Sequence, residues 1–300
     1  MSTLYTEAER NIWKTYLYLV VFFILIIGIG WLLSYLFEAV AILYIAVILS
    51  IVMSFTSYWY SDKIVLSISK AKPVQKKDYP ELYRITENLA IANGLPMPRL
   101  YVIEDPQPNA FATGRDPEHG VVAVTKGLLE RLERSELEAV IAHELAHIGN
   151  RDILISSVVV VLVGVVVIIA DIFFRMAFFG GMGGRDRGHP IIMLLAVIFI
   201  VLAPLLAQLM KFAISRKREY LADSTAALNT RHPEALARAL EKISKDPNQL
   251  RSANDATAHL YIMNPFRGKE QKSWFHKLFM THPPVEDRIS RLREIDKKGA

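Results

Sequence analysis

No cysteine occurs among the 300 residues. Disulfide frameworks, thiolate zinc sites and thiol redox chemistry are therefore excluded, and any metal centre must be built from His, Asp and Glu. Charge is scarce in one place above all: from residue 15 to residue 61, Glu38 is the only charged side chain. Across the chain 22% of residues are charged and 52% are hydrophobic, with a mean hydropathy of +0.26. Soluble domains carry about 25% and about 45–50% respectively, so the excess is small and its placement carries the information. A purely soluble protein is excluded. So is a disordered one, because the chain holds 14 Phe, 12 Tyr and long Val/Ile/Leu runs. Internal repeats and low-complexity tracts are lacking too. The net charge of +5, in a chain with such runs, reflects loops facing anionic headgroups rather than a nucleic-acid partner.

A helix needs roughly 20 apolar residues to cross the hydrocarbon of a bilayer. Residues 15–37 and 39–61 meet this, each without an internal charge, and so do 153–174, with Asp171 near the far end, and 191–210. The first run is too long for the apolar core of a signal peptide, and the stretch before it has no net positive charge. A retained hairpin is expected, although Ala39-Val40-Ala41 has the small-x-small form of a cleavage site. With four spans, twelve Lys/Arg flank the membrane on one side, from Arg10 and Lys14 to Lys217 and Arg218. Arg175, Arg185 and Arg187 stand on the other. The positive side faces the cytoplasm. The expected division is a cytoplasmic N-terminus (1–14), a hairpin (15–61), a cytoplasmic piece (62–152), a second hairpin (153–210) and a second cytoplasmic piece (211–300). Residues 180–188, with five glycines, form the outer loop. In the first cytoplasmic piece 80–93 reads as helix, 99–103 and 121–125 as strands, and 106–114 as a loop. The second piece reads as helix to Lys245, irregular around Met263-Asn264-Pro265, and helix again from Pro284.

The chemistry sits in Ser135-Glu-Leu-Glu-Ala-Val-Ile-Ala-His143-Glu144-Leu-Ala-His147-Ile-Gly149. Ser135 with Glu138 has the form of a capping box and Gly149 that of a helix stop. His143 and His147 then stand one turn apart on one face, where both imidazoles can reach one tetrahedral zinc. Glu144 lies beside the first of them, placed to act as general base on the attacking water and then to protonate the leaving amine. With 8 His and 18 Glu in the chain, chance would produce this His-Glu-x-x-His pattern about 0.01 times. An ordinary exposed helix is disfavoured on that ground.

A catalytic zinc takes a third protein ligand. The direct continuation His-x-x-Gly-x-x-His is excluded, because Asn150 and Ile153 occupy those positions. A Glu-x-x-x-Asp pair follows the fourth span instead, with Glu219 and Asp223 again on one helix face. Glu219 would bind the metal. Asp223 would hydrogen-bond a ligand histidine and fix its tautomer. The alternative, in which Glu219 only pairs with Arg216 and Arg218, stays open on local grounds. The separation of Glu219 from His147 fits two spans that carry the chain out and back to the same side.

These segments and the four spans together resemble the HtpX family of membrane-bound zinc metalloproteases, which is related to the CAAX prenyl endopeptidase. Two further stretches are similar to family motifs: Asn109-Ala110-Phe111-Ala112-Thr113, and Thr281-His282-Pro283-Pro284 followed by Arg288-Ile289. The resemblance implies an α-helical membrane protein with four transmembrane helices in two hairpins and a mainly α (α+β) zincin-type domain. It implies one zinc ion per chain. It makes Asn109, Phe111 and Ala112 an edge that holds substrate as an added strand, with Asn109 donating a side-chain hydrogen bond, and His282 a donor to the oxyanion. The implied activity is endopeptidase cleavage of misfolded or damaged membrane proteins in the cell membrane, with the active site and both termini cytoplasmic. A specific processing peptidase of the prenyl-protein type and a non-catalytic metal-binding membrane scaffold are the alternatives. Glu144 speaks against the scaffold, because a structural site needs no carboxylate there. The remaining histidines, His119, His189, His232, His259 and His276, read as surface or structural.

Overall fold

A computed structural model describes residues 4–36, 38–162, 216–251, 257–265 and 283–299. Two long helices come first, α1 (Leu4–Leu36) and α2 (Val40–Ile68). Apolar side chains surround both, and Ile24, Trp31, Tyr44 and Ile48 are exposed, as suits helices whose outer surface meets lipid. The candidate spans are Glu9–Leu32 and Val40–Ile68. Gly30 lies at their crossing: a Cβ there would stand 2.2 Å from the Ala46 Cβ. The absence of a side chain is what lets the two backbones approach. The third and fourth expected spans lie outside the described residues, except for the start of the third.

Helix α2 runs about two turns beyond the expected end of its span. Asp62 finds Arg99 at 2.6 Å, and Val65 and Leu66 pack against the sheet. Tertiary contacts thus extend a helix that hydropathy alone would end near residue 61. The sheet is small and mixed, in the order β1 (Lys72–Pro73), β2 (Arg99–Ile103), β4 (Val121–Thr125), β3 (Ala110–Thr113). Pairing is antiparallel for β1 with β2 and for β3 with β4, and parallel for β2 with β4. The expected strands 99–103 and 121–125 form in full. The expected loop 106–114 contains β3, four residues long and buried throughout.

Strand β4 shows why the sheet is central. Its Val-Val-Ala-Val-Thr run is buried on both faces, as period-2 alternation between two cores requires. Val122 and Val124 join the larger core with α3 (Pro80–Ala92), α5 (Arg134–Gly149), α7 (Arg216–Thr230) and α8 (Pro233–Lys245). Val121 and Ala123 join a second core with α2 and Val160 of α6 (Asp152–Leu162). Helix α4 (Lys126–Arg131) follows β4 directly, capped by the Thr125 hydroxyl, which accepts from Leu128 N–H at 3.2 Å. Helix α9 (Val285–Gly299) packs on α8 and on α7.

Helix α5 begins two residues earlier than a cap at Ser135 would place it. Its N-cap is Glu133, whose backbone N–H donates to the Glu136 carboxylate at 2.9 Å. Lys242 of α8 holds the same carboxylate at 2.8 Å. A contact from a distant helix thus fixes the cap at Glu133 and Glu136 rather than at Ser135 and Glu138. The helix is buried nearly all round rather than along one stripe, so it is the central helix of the domain. Helix α6 leaves it at 80°, and Arg151 turns the corner in the left-handed region at φ 56°.

Candidate metal centre

His143 and Glu144 are each only 1% exposed. A helix that carried them incidentally on a solvated face would leave them open to water. Helix α7 reaches α5 closely because Ala222 and Ala226 face the contact, both fully buried. That approach brings Glu219 to the histidines. One ligand atom from each of His143, His147 and Glu219 lies within 4.8 Å of the others. The two Nε2 atoms are 3.1 Å apart. Glu219 Oε1 is 3.6 Å from His147 Nε2, and Oε2 is 3.9 Å from His143 Nε2. Two ligand atoms on a tetrahedral zinc stand about 3.3 Å apart, so the spacing fits one such ion.

The outer faces of both imidazoles are held as well. His143 Nδ1 lies 3.0 Å from Asp223 Oδ1, and His147 Nδ1 lies 3.0 Å from Asp152 Oδ2. Each Nδ1 thus faces a carboxylate, and each Nε2 points inward, where it offers a lone pair once the ring is neutral. Two Nε2 atoms and a carboxylate converging in a buried space call for a cation. The site draws positive charge to itself even as it stands. Burial opposes a charge on His147, yet the Asp152 and Glu219 carboxylates outweigh this and push it up to about 9. His143 goes the other way, held below its usual value chiefly by burial. Glu144 is pushed up to about 7, chiefly by burial, although the Ala112 backbone N–H bonds to it. Asp223 would rise by burial alone, but the Arg288 guanidinium beside it and the His143 contact hold it below the usual carboxylate range.

Residues 76–296 match peptidase family M48. The protease HtpX homolog of Dictyoglomus thermophilum is 44% identical over 297 residues, which covers 99% of this chain and 96% of that protein. The chain belongs to the HtpX branch of peptidase family M48. The corresponding protein of Thermococcus sibiricus is 50% identical over 83% of this chain and 85% of its own length. That of Pyrococcus furiosus is 48% identical over 90% and 91%. Among solved structures, S. mikatae Ste24p matches with a TM-score of 0.49 at 20% identity, covering 83% of this chain and 57% of that one.

An M48 protease of the HtpX branch is a membrane metalloprotease that hydrolyses peptide bonds, and that is what this chain is. The cleft over its histidines has a cavity of about 30 Å³, lined among others by Ala112, Glu144, His147, Glu219, His259 and Leu260. Of the three residues expected along a substrate edge, only Ala112 lines it. Asn109 is fully buried. Its amide donates to the Met263 carbonyl at 2.9 Å, and Met263 N–H donates back to Asn109 Oδ1 at 3.3 Å. Its hydrogen bond thus goes to this chain's own backbone. Phe111 is fully buried edge-on against Tyr261, with ring centroids 5.1 Å apart. Ile262 N–H donates to the Ala110 carbonyl at 2.9 Å, so residues 261–263 run beside the outer edge of β3. His282 lies outside the described residues.

Three residues around the site escape a reading by motif spacing. Asp152 comes five residues after His147, beyond the end of the helix that carries the motif. His259, read as surface or structural, is 4% exposed and so not on the surface, and it lines the cleft. Arg288, noted only as following the His-Pro-Pro stretch, donates to both Asp223 oxygens at 2.8 and 2.6 Å.

Proposed function

We propose that this M48 protease binds one zinc ion per chain through His143, His147 and Glu219, and cleaves polypeptides with Glu144 as general base. The observation that carries this reading is the convergence of two Nε2 atoms and a buried carboxylate beside Glu144. When bound, zinc supplies a Lewis acid that polarises the scissile carbonyl and acidifies water. Glu144 takes a proton from the attacking water and returns it to the leaving amine. Asp223 and Asp152 hold the two imidazoles by Nδ1, keeping Nε2 turned inward. Ala112, the one residue of the expected edge that lines the cleft, lies where the substrate backbone would pass. His282 is the donor to the oxyanion, from the Thr281–Pro284 stretch just before α9.

The substrates we propose are misfolded or damaged membrane proteins, cleaved on the cytoplasmic side of the cell membrane. Placement of the site supports this: α1 and α2, the candidate spans, pack directly on the domain that carries it. The membrane part has four spans in two hairpins, 15–61 and 153–210, with the polar pieces 62–152 and 211–300 and both termini in the cytoplasm. The Lys/Arg asymmetry supports this orientation. A reporter enzyme fused within residues 180–188 is expected to read as external. A cytoplasmic reading there would remove the second hairpin.

The metal assignment is tested by elemental analysis of the purified protein in detergent. We expect about one zinc per chain. Glu219→Ala is expected to weaken binding by at least roughly 100-fold, more than the loss of an outer partner does. A variant that holds zinc as tightly as the parent would show that the third ligand lies elsewhere.

A further inference from the structure

We propose that Asn11, on the first membrane helix, is a positioning residue of the metal centre and acts on His147 through Asp152. This rests on the metal reading above and extends it into the membrane part. Asn11 is fully buried near the start of the candidate span Glu9–Leu32. Its Nδ2 donates to Asp152 Oδ1 at 2.8 Å and to the Asn150 carbonyl at 3.0 Å. Both partners are acceptors, so the side-chain nitrogen, not the oxygen, must face them. The other oxygen of Asp152 stands 3.0 Å from His147 Nδ1. Two hydrogen bonds thus join a transmembrane helix to a metal ligand, across more than 130 residues of sequence.

The place Asn11 holds is a corner that does not hold itself. Asn150 ends α5, Asp152 begins α6, and Arg151 between them adopts φ 56°, a conformation unfavourable for a residue with a Cβ. Asn11 grips the residues on both sides of it. A polar side chain buried against a membrane helix keeps its place only where its hydrogen bonds are met. Here the two amide hydrogens of Asn11 are met by the groups that set the His147 ring. Arg218 also reaches Asp152 Oδ1, at 3.3 Å, and supplies charge. Asn11 contributes the shorter, directional contact. Removing it leaves the carboxylate charged but free to turn, and the imidazole with it.

Loss of an outer partner of a metal ligand typically weakens binding about 10–100-fold. Since Arg218 stays, we expect the low end, about tenfold, for Asn11→Ala and for Asn11→Leu, which preserves volume. Full-length protein in detergent would be titrated with Zn²⁺ against a chromophoric chelator, and its Co²⁺ form examined by visible absorption. Both variants should bind more weakly and show displaced Co²⁺ ligand-field bands. In an Asp152→Asn background the Asn11 substitution should add nothing, because the route between them is already cut. A variant that melts at lower temperature yet keeps parental Zn²⁺ affinity and Co²⁺ bands overturns the proposal. So does a tenfold loss that recurs unchanged in the Asp152→Asn background. If the parent binds Zn²⁺ no better than Glu219→Ala, the metal reading fails and the proposal fails with it.

Discussion

Glu144→Gln is expected to lose proteolysis by roughly 10²–10⁴-fold, the range for removing a general base, while keeping about one zinc per chain. Gln has the same shape and keeps the contact with the Ala112 backbone, but its amide cannot take a proton at neutral pH. Glu144 is suited to proton traffic near neutrality because burial pushes it up to about 7. A base that titrates near the working pH both accepts from water and returns to the amine. The side chain sits next to His143 in sequence yet lies outside the ligand trio, so metal content and activity should separate. Casein cleavage by the detergent-purified proteins, with zinc measured on the same samples, checks both. Equal cleavage by the two would remove Glu144 from the chemistry. Joint loss of zinc and activity would make it a ligand instead.

What could be read from the sequence follows the range of each interaction. The His143–His147 pair and the Glu219–Asp223 pair were legible because i,i+4 geometry is local. Strands 99–103 and 121–125 were legible because their apolar runs are bounded by turn residues. The start of α5 was misplaced because Lys242 holds Glu136 from another helix, a contact that no local pattern displays. Helix α2 continues past residue 61 for the same kind of reason, the Asp62–Arg99 pair. Asn109 has the look of a free donor beside a cleft, yet its partner is Met263, 154 residues away. Asp152, Arg288 and Asn11 escape for that cause too, since each takes its role from a residue brought near only by the fold. For Asp152 the separation is short, but the turn at Arg151 between α5 and α6 is what carries it back to the His147 Nδ1. His259 offered no spacing at all. It reaches the cleft because residues 257–265 run along β3.

Arg288→Met should destabilise the fold by about 3–5 kcal/mol, the usual result of breaking a buried ion pair from one side. Arg288 is 1% exposed. It donates to both oxygens of Asp223, to the Ile262 carbonyl at 2.9 Å, and stands 3.5 Å from Glu219 Oε2. Without it two buried carboxylates face each other and a buried carbonyl loses its donor. Methionine fills much of the volume, so the loss reports charge and hydrogen bonding rather than a cavity. Zinc would offset part of the effect, because a dication at Glu219 neutralises one of the two exposed charges. The apo form should therefore lose more than the zinc form. Thermal unfolding of both forms, in a Glu144→Gln background that prevents self-cleavage, measures the difference. Arg288→Lys keeps the charge but not the planar fork, so it should recover the electrostatic share and not the paired contact with Asp223. If apo Arg288→Met unfolds within about 1 kcal/mol of its parent, well under the usual cost, then the two carboxylates do not depend on Arg288. In that case the clamp on His143 is held by the packing of α5 against α7 alone.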